Sequence, residues 1–385
     1  MHETGIENCY ILKDGKKLRF GYTTGTCAAA AAKAAAQMLV TGRTVETVDI
    51  LTPKGLALNL EVLQPVHGAD RASCAVRKYS GDDPDVTDGI LICAEVCWQA
   101  EPGITIDGGP GVGRVTKPGL KQRVGEAAIN PVPLQMIRQA VGQALDDSGQ
   151  AAGMRVVISI PEGIKLAGRT FNPRLGIEGG ISILGTSGIV EPMSEDALVE
   201  SIELELRQKR ALGCERLLLT PGNYGADFIR SLCNVQETEL VKCSNYIGRT
   251  LDMAVAAAYP EVLLIGHVGK LIKLAGGIMN SHSREGDARA ELMAACALRA
   301  GCDADTARAL LDCLTTDEML GILQKKGLLR ETMDAAAGRI DFYLRARVKD
   351  RLRIGAVVFS NEFGILCMTG PAEQWLRELM EREDG

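Results

Sequence analysis

Residues 169–194 read RTFNPRLGIEGGISILGTSGIVEPMS, a basic, glycine-rich loop followed by a short apolar run, a second glycine turn and the start of a helix. The run Gly180-Ile181-Ser182-Ile183-Leu184 is rich in β-branched residues and bounded by glycine, which predicts a strand over 180–184. Gly185-Thr186-Ser187-Gly188 then breaks it. The segment 191–196 opens a helix, with Ser194 as its cap and acidic residues in the first turn. In a doubly wound α/β sheet a ligand sits at such a strand-to-helix junction. A turn that only joins two packed elements is the other reading of an isolated GTSG.

Outward from this stretch, strand and helix alternate from residue 153 onward. Strands at 155–160, 180–184, 216–219 and 261–265, with a helix over 195–211, predict parallel strands joined by crossover helices, a Rossmann-like α/β domain. Residues 286–348 read as mostly helical, and a strand pair at 353–360 and 364–368 precedes a closing helix over 372–381. Residues 1–145 lack this rhythm. A helix from Cys27 to about 41, alternating strands, glycine-rich turns and a proline-initiated helix at Asn130-Pro131-Val132-Pro133 predict a mixed α+β domain. The expected architecture is α/β and α+β in two domains, 1–150 and 151–385.

At 385 residues the chain is long enough for two domains and a large core. Its 46% hydrophobic content and mean hydropathy of +0.04 are those of an ordinary globular protein. A net charge of -6 and a pI near 5.5 argue against nucleic acid as the main partner, because neutralising phosphates needs a basic face. The 12 cysteines include no CxxC pair and no histidine at zinc-finger spacing, so they read as small buried hydrophobes in a reducing compartment, with no metal site. The apolar stretches 26–40 and 254–268 are interrupted by Lys33 and by Pro260-Glu261, short of the roughly 20 residues of a membrane span. The expectation is a soluble, cytoplasmic protein without a membrane partner; a homo-oligomer is left open.

Three glycine turns follow apolar strands in the second half: Gly185-Thr186-Ser187-Gly188, Gly222-Asn223-Tyr224-Gly225 and Gly266-His267-Val268-Gly269. At successive strand ends they would crowd one edge of a sheet and form a cofactor site. None matches GxGxxG or a P-loop, so the ligand expected there lacks a polyphosphate, and S-adenosylmethionine is such a ligand. Thr23 and Thr24 precede an alanine-rich helix, where they act either as an anion site or as a simple cap. Cys27 beside them is either a thiol of lowered pKa or a small buried one. Asp82, Asp83 and Asp85 cluster in 81–89, where carboxylates raise one another's pKa and suit proton handling; a solvated turn is the alternative. Cations in suspected loops, namely Arg114, Lys117, Arg174, Lys270, Lys273 and Arg284, with His282, suit a polycarboxylate, although such residues commonly coat solvated surfaces.

Taken together, GYTTGTCAAAAAKAA at 21–35, GDDPDVTDG at 81–89, DGGPGVGRVTKPGL at 107–120, AINPVPLQMI at 128–137, the run 158–194, PGNYG at 221–225, SNYIG at 244–248 and GHVGKLIKLAGGIMNSHSREGD at 266–287 resemble the CbiD family of the anaerobic cobalamin pathway. Asp88 stands where histidine is common in that family and is given no role. The resemblance runs from about residue 18 to the carboxyl terminus and implies transfer of a methyl group from S-adenosylmethionine to C-1 of cobalt-precorrin-5B, giving cobalt-precorrin-6A. The cobalt then belongs to the substrate, whose acetate and propionate groups would meet the loop cations. A nicotinamide-dependent reductase of a similar ring and a corrinoid-binding protein without turnover are the competing readings.

Overall fold

The computed structural model describes residues 3–13, 15–149, 152–233, 235 and 239–381, arranged in two compact units, Met1–Glu195 and Asp196–Gly385. It is a mixed α/β protein. The division falls at 195/196 and not at 150/151, because the strand Gly153–Ser159 is taken into the first unit's sheet. The strand Ile189–Val190 also stays with the first unit, pairing antiparallel with Gly21–Tyr22. Alternation along the chain cannot reveal which sheet a strand enters.

The first unit is built on a five-stranded sheet ordered Leu63–His67, Arg71–Arg77, Leu91–Gln99, Gly153–Ser159, Ile104–Gly108. Only the last pair runs parallel. Along the central strands every second residue is buried, including Cys74 and Val76, Ile92, Ala94 and Val96, and Val156 and Ile158. This period of two produces one apolar face. That face packs on the helix Thr24–Thr41, whose Cys27 to Ala32 are fully buried, and whose other side meets the helix Pro131–Ser148. Alanine fits here because a helix covered on both sides has room for little more than a methyl group. The helix begins at Thr23, whose hydroxyl accepts from the Thr26 N–H, and stops at Gly42 in the left-handed conformation.

The expected strand over 180–184 shortens to Gly180–Ile181, parallel to Gly111–Val112. Close backbone packing explains both the shortening and the glycines. At Gly111, φ +79, a Cβ would stand 1.8 Å from the Ile160 carbonyl oxygen. The 107–120 loop is therefore packed against the 158–163 segment by backbone, where no side chain fits.

The second unit carries a sheet ordered Leu240–Lys242, Arg216–Thr220, Glu261–His267, Arg353–Ser360, Gly364–Thr369. The first four strands are parallel and the last is antiparallel. Leu218, Leu263, Ile265 and Val357 meet the helices Asn223–Leu232 and Ala372–Glu381 on one face. Leu217, Leu219, Val262 and Leu264 meet Glu195–Ala211, Ile247–Ala256 and Leu329–Val348 on the other. Strands buried on both faces read as continuous apolar runs, as 217–219 and 262–265 do. The region expected to be helical contains Arg289–Arg299, Ala304–Leu311, Thr316–Lys325 and Leu329–Val348.

Ala31 is fully buried, and its carbonyl accepts from the Cys74 thiol at 3.2 Å. Enlarging it must push the helix off the sheet. Ala31→Leu is expected to destabilise the protein by about 1–3 kcal/mol, read as a lower urea midpoint at unchanged slope; an unchanged midpoint would mean that the helix–sheet layer has room to spare.

Candidate functional site

The carboxyl edge of the second unit's sheet is where the chain reverses direction across the sheet. From Arg216–Thr220 the chain crosses outward to Leu240–Lys242, whereas after Glu261–His267 it proceeds the other way to Arg353–Ser360. These two strands are neighbours, so their continuations diverge at Pro221-Gly222 and His267-Val268-Gly269, the switch point at which α/β sheets bind ligands. Two of the three expected turns therefore do share one edge.

Gly222 precedes the helix Asn223–Leu232 at φ 140 and ψ -171, a region closed to residues with side chains. A Cβ there would have only the Lys270 ammonium within 4 Å, at 3.6 Å, so backbone at this point is open to approach. Tyr224 is 67% exposed beside it. Gly225 and Gly266 have a different purpose, because a Cβ would lie 2.5 Å from the Ile265 carbonyl oxygen at the first and 2.9 Å from Leu271 at the second. His267 ends its strand, and its Nδ1 accepts from the Gly269 N–H at 3.1 Å.

Lys270 holds these ends together. Its ammonium donates to the Pro221 carbonyl and, at 3.0 Å, to Oδ1 of Asn245, which lies just beyond Leu240–Lys242. Asn245 Oδ1 also accepts from the Ser281 hydroxyl at 3.1 Å, and its backbone carbonyl accepts from the Ser281 N–H at 2.9 Å. Burial pushes the Lys270 amine below its ordinary range. Lys273 is likewise buried and lowered by burial; it donates to the Ser281 carbonyl at 3.1 Å and lies 3.7 Å from Asp287. Both lysines, expected to reach for substrate carboxylates, have their charges taken up inside the loops. His282 Nδ1 accepts from the Arg284 N–H at 3.1 Å, within the same 280–287 segment.

Gly185-Thr186-Ser187-Gly188 lies in the first unit and is not part of the second unit's sheet. It folds onto the start of the helix Thr24–Thr41. The Thr26 hydroxyl donates to the Gly188 carbonyl at 2.6 Å, the Thr24 hydroxyl accepts from the Leu184 N–H at 2.9 Å, and the Thr23 hydroxyl accepts from the Thr26 N–H at 3.2 Å. A Cβ on Gly185, at φ +129, would stand 2.3 Å from the Thr23 hydroxyl. The glycine at that position is a packing requirement. Burial pushes Cys27 up to about 12, which favours the small buried thiol over the lowered one of the two readings.

Asp82 and Asp85 are lowered rather than raised, and no neighbouring carboxylate is among the causes. Hydrogen bonds from the Arg19 side chain and backbone hold Asp82 down at about 2. Asp83 accepts from the Met193 N–H at 2.9 Å. Burial alone would raise Asp85, but the Lys78 ammonium at 2.7 Å and two hydrogen bonds from Thr87 outweigh it, leaving the group lowered. Asp82 and Asp85, both lowered, are not placed to store a proton at neutral pH. Arg114 forms a bidentate pair with Asp107, at 2.8 and 3.0 Å, and donates to the Gly108 carbonyl. Lys117 and Arg174 are exposed on adjoining loops of the first unit, Lys117 lying over Gly176 and Arg174 over the exposed ring of Phe171.

Asn245, Phe359 and Asp317 belong to the edge although sequence reasoning gave them no role. The signal for Asn245 was in the chain: it follows a strand by three residues in a polar Ser-Asn turn, where the structure puts Ser244 at φ 52.

Comparison with known proteins agrees with this chain over nearly its whole length. Residues 11–192 match the family model described as CbiD, and residues 280–370 match that described as CbiD, C-terminal domain. A cobalt-precorrin-5B C(1)-methyltransferase of Alkaliphilus metalliredigens is 46% identical over 376 residues, 97% of this chain and 98% of that protein. The protein of the same name from Ruminiclostridium cellulolyticum is 47% identical over 380 residues, 97% of this chain and 99% of its own. A crystal structure of a cobalamin biosynthesis protein (cbiD) from Archaeoglobus fulgidus is 32% identical, covering 73% of this chain and 87% of that one, with a TM-score of 0.39.

Asp85 is the countercharge of the buried Lys78. Asp85→Asn leaves that ammonium uncompensated and is expected to cost about 3 kcal/mol of stability at pH 7. Because the folded carboxyl is lowered, its contribution is present above the unfolded value of about 3.9 and is lost as pH falls through the folded one. Denaturant melts between pH 7 and pH 3 should therefore show parent and variant converging at the acid end; a gap that stays constant would contradict the pairing.

Proposed function

The chain belongs to the CbiD family, and we propose that it methylates C-1 of cobalt-precorrin-5B, with S-adenosylmethionine as donor, to give cobalt-precorrin-6A. The observation that carries this reading is identity of 46–47% over 97% of the chain to proteins named for that reaction. The second unit is read as a Rossmann-like donor domain, supported by its four parallel strands with helices on both faces and by the reversal beside Arg216–Thr220.

The residues at the switch point fit a donor of this kind. Gly222 offers open backbone, Tyr224 an exposed aromatic face, and Thr220 a fully buried hydroxyl without a hydrogen-bond partner among the described residues. When bound, the donor supplies a methyl group that is already electrophilic, so alignment matters more than covalent activation. The chain's residues are suited to alignment. Lys270 fixes Pro221 and Asn245 relative to each other, and Gly222 lets the ligand approach the main chain. Cys27 and Cys243, both pushed up to about 12 by burial, remain protonated thiols and are not nucleophiles at neutral pH. In a chain of net charge -6, carboxylates at the substrate's rim need local cations. Lys117 is assigned that task, and Arg174, exposed on the adjoining loop, is placed to share it; Arg114, Lys270 and Lys273 are engaged by Asp107, by Asn245 and by the Ser281 carbonyl.

Incubation with methyl-labelled S-adenosylmethionine and cobalt-precorrin-5B is expected to move label into the ring. Tetrapyrrole binding without label transfer would favour a carrier, and a ring reduced at the expense of a nicotinamide would favour a reductase. Gly222→Ala is expected to weaken S-adenosylhomocysteine binding about tenfold in calorimetry, equivalent to roughly 1.4 kcal/mol. The strain of about 1–3 kcal/mol at such a backbone position is small enough for the fold to survive. Full affinity in a folded variant would move the donor elsewhere.

A further inference from the structure

We propose that His267 recognises the adenine ring of the methyl donor, as a neutral Nε2–H donor placed beside the exposed face of Tyr224. The inference rests on the donor site proposed above and adds to it which ligand group meets which atom.

The tautomer follows from one hydrogen bond. The Gly269 N–H donates to His267 Nδ1 at 3.1 Å, and a peptide N–H can only donate, so Nδ1 holds the lone pair. In a neutral imidazole the proton is then on Nε2. Burial lowers the imidazole below its ordinary value, only partly opposed by Asp317, whose carboxylate accepts from the Ser360 hydroxyl at 2.7 Å. The ring plane is set from behind. Phe359 meets it edge-on, at 5.6 Å and 89°, and is itself stacked on Phe228 at 3.8 Å.

Nε2–H has no hydrogen-bond partner among the described residues, although the residue is half-buried. The Tyr224 ring is 6.2 Å away and tilted by 45°. Side chains alternate along a strand, so Thr220 and His267 share the sheet face that Leu218 and Ile265 present to the helix Asn223–Leu232. An unpartnered, half-buried donor and an aromatic wall thus stand together at the end of Glu261–His267, with the buried Thr220 hydroxyl on the same sheet face of the neighbouring strand. An imidazolium or a lysine at this place would select carboxylate. An uncharged donor beside an aromatic face instead suits an uncharged ring with acceptor nitrogens.

Calorimetry with S-adenosylhomocysteine and with 5′-methylthioadenosine, which lacks the amino-acid end, tests this in the full chain. His267→Ala should weaken both ligands about tenfold, the usual effect of losing one such bond. His267→Gln, whose amide N–H can replace Nε2–H, should stay within about threefold of the parent by the same reasoning. Long-range proton–nitrogen spectra should show His267 as the Nε2–H tautomer, a readout independent of turnover. Unchanged affinity in His267→Ala, a loss seen with S-adenosylhomocysteine but not methylthioadenosine, or a proton on Nδ1 would each overturn the assignment while leaving the donor site in place. Absence of binding in the parent protein would instead remove the donor site on which the assignment stands.

Discussion

The ammonium of Lys270 ties together three strand ends of the second unit. It is half-buried, and a buried charge must be given partners or lose its proton; here it takes the Pro221 carbonyl and the Asn245 amide oxygen. Asn245 in turn anchors Ser281, so the loops 221–225, 243–248 and 266–282 are fixed as one surface. The open backbone at Gly222 and the orientation of His267 depend on that surface holding its shape.

The same principle accounts for the polar groups that gather in the first unit. Each acidic residue of 82–85 has a partner outside that stretch: Arg19 for Asp82, the Met193 N–H for Asp83, Lys78 for Asp85. Thr23, Thr24 and Thr26 are satisfied by the 184–188 turn and by each other. Such networks fix the alanine helix between its sheet and its neighbouring helix. They also determine where glycine is compulsory, as at Gly111 and Gly185, for reasons of packing rather than ligand binding.

Much of the second unit was legible in the chain because its signals are local. Apolar runs such as 217–219 and 262–265, each followed by a glycine turn, announce buried parallel strands and the edge where their loops gather. The helical stretch after 286 and the closing strand pair and helix were legible for the same reason. The turn at 185–188 has the same glycine spacing but packs on Thr23–Thr26, about 160 residues earlier, and no local pattern encodes that contact. Charge was equally opaque. Lys270 and Lys273 read as loop cations suited to a polycarboxylate, but Pro221 and Asn245 take up the first and Ser281 and Asp287 the second. The boundary between the units was misplaced because Gly153–Ser159, a strand in the right rhythm, belongs to the sheet before it.

Amide hydrogen exchange of the full chain with and without S-adenosylhomocysteine tests most directly whether the switch point of the second unit's sheet holds the methyl donor. The account predicts slowed exchange at 221–225 and 266–270, with 23–27 and 185–188 unchanged. Slowing confined to 23–27 and 185–188, with the second unit's edge unaffected, would contradict it.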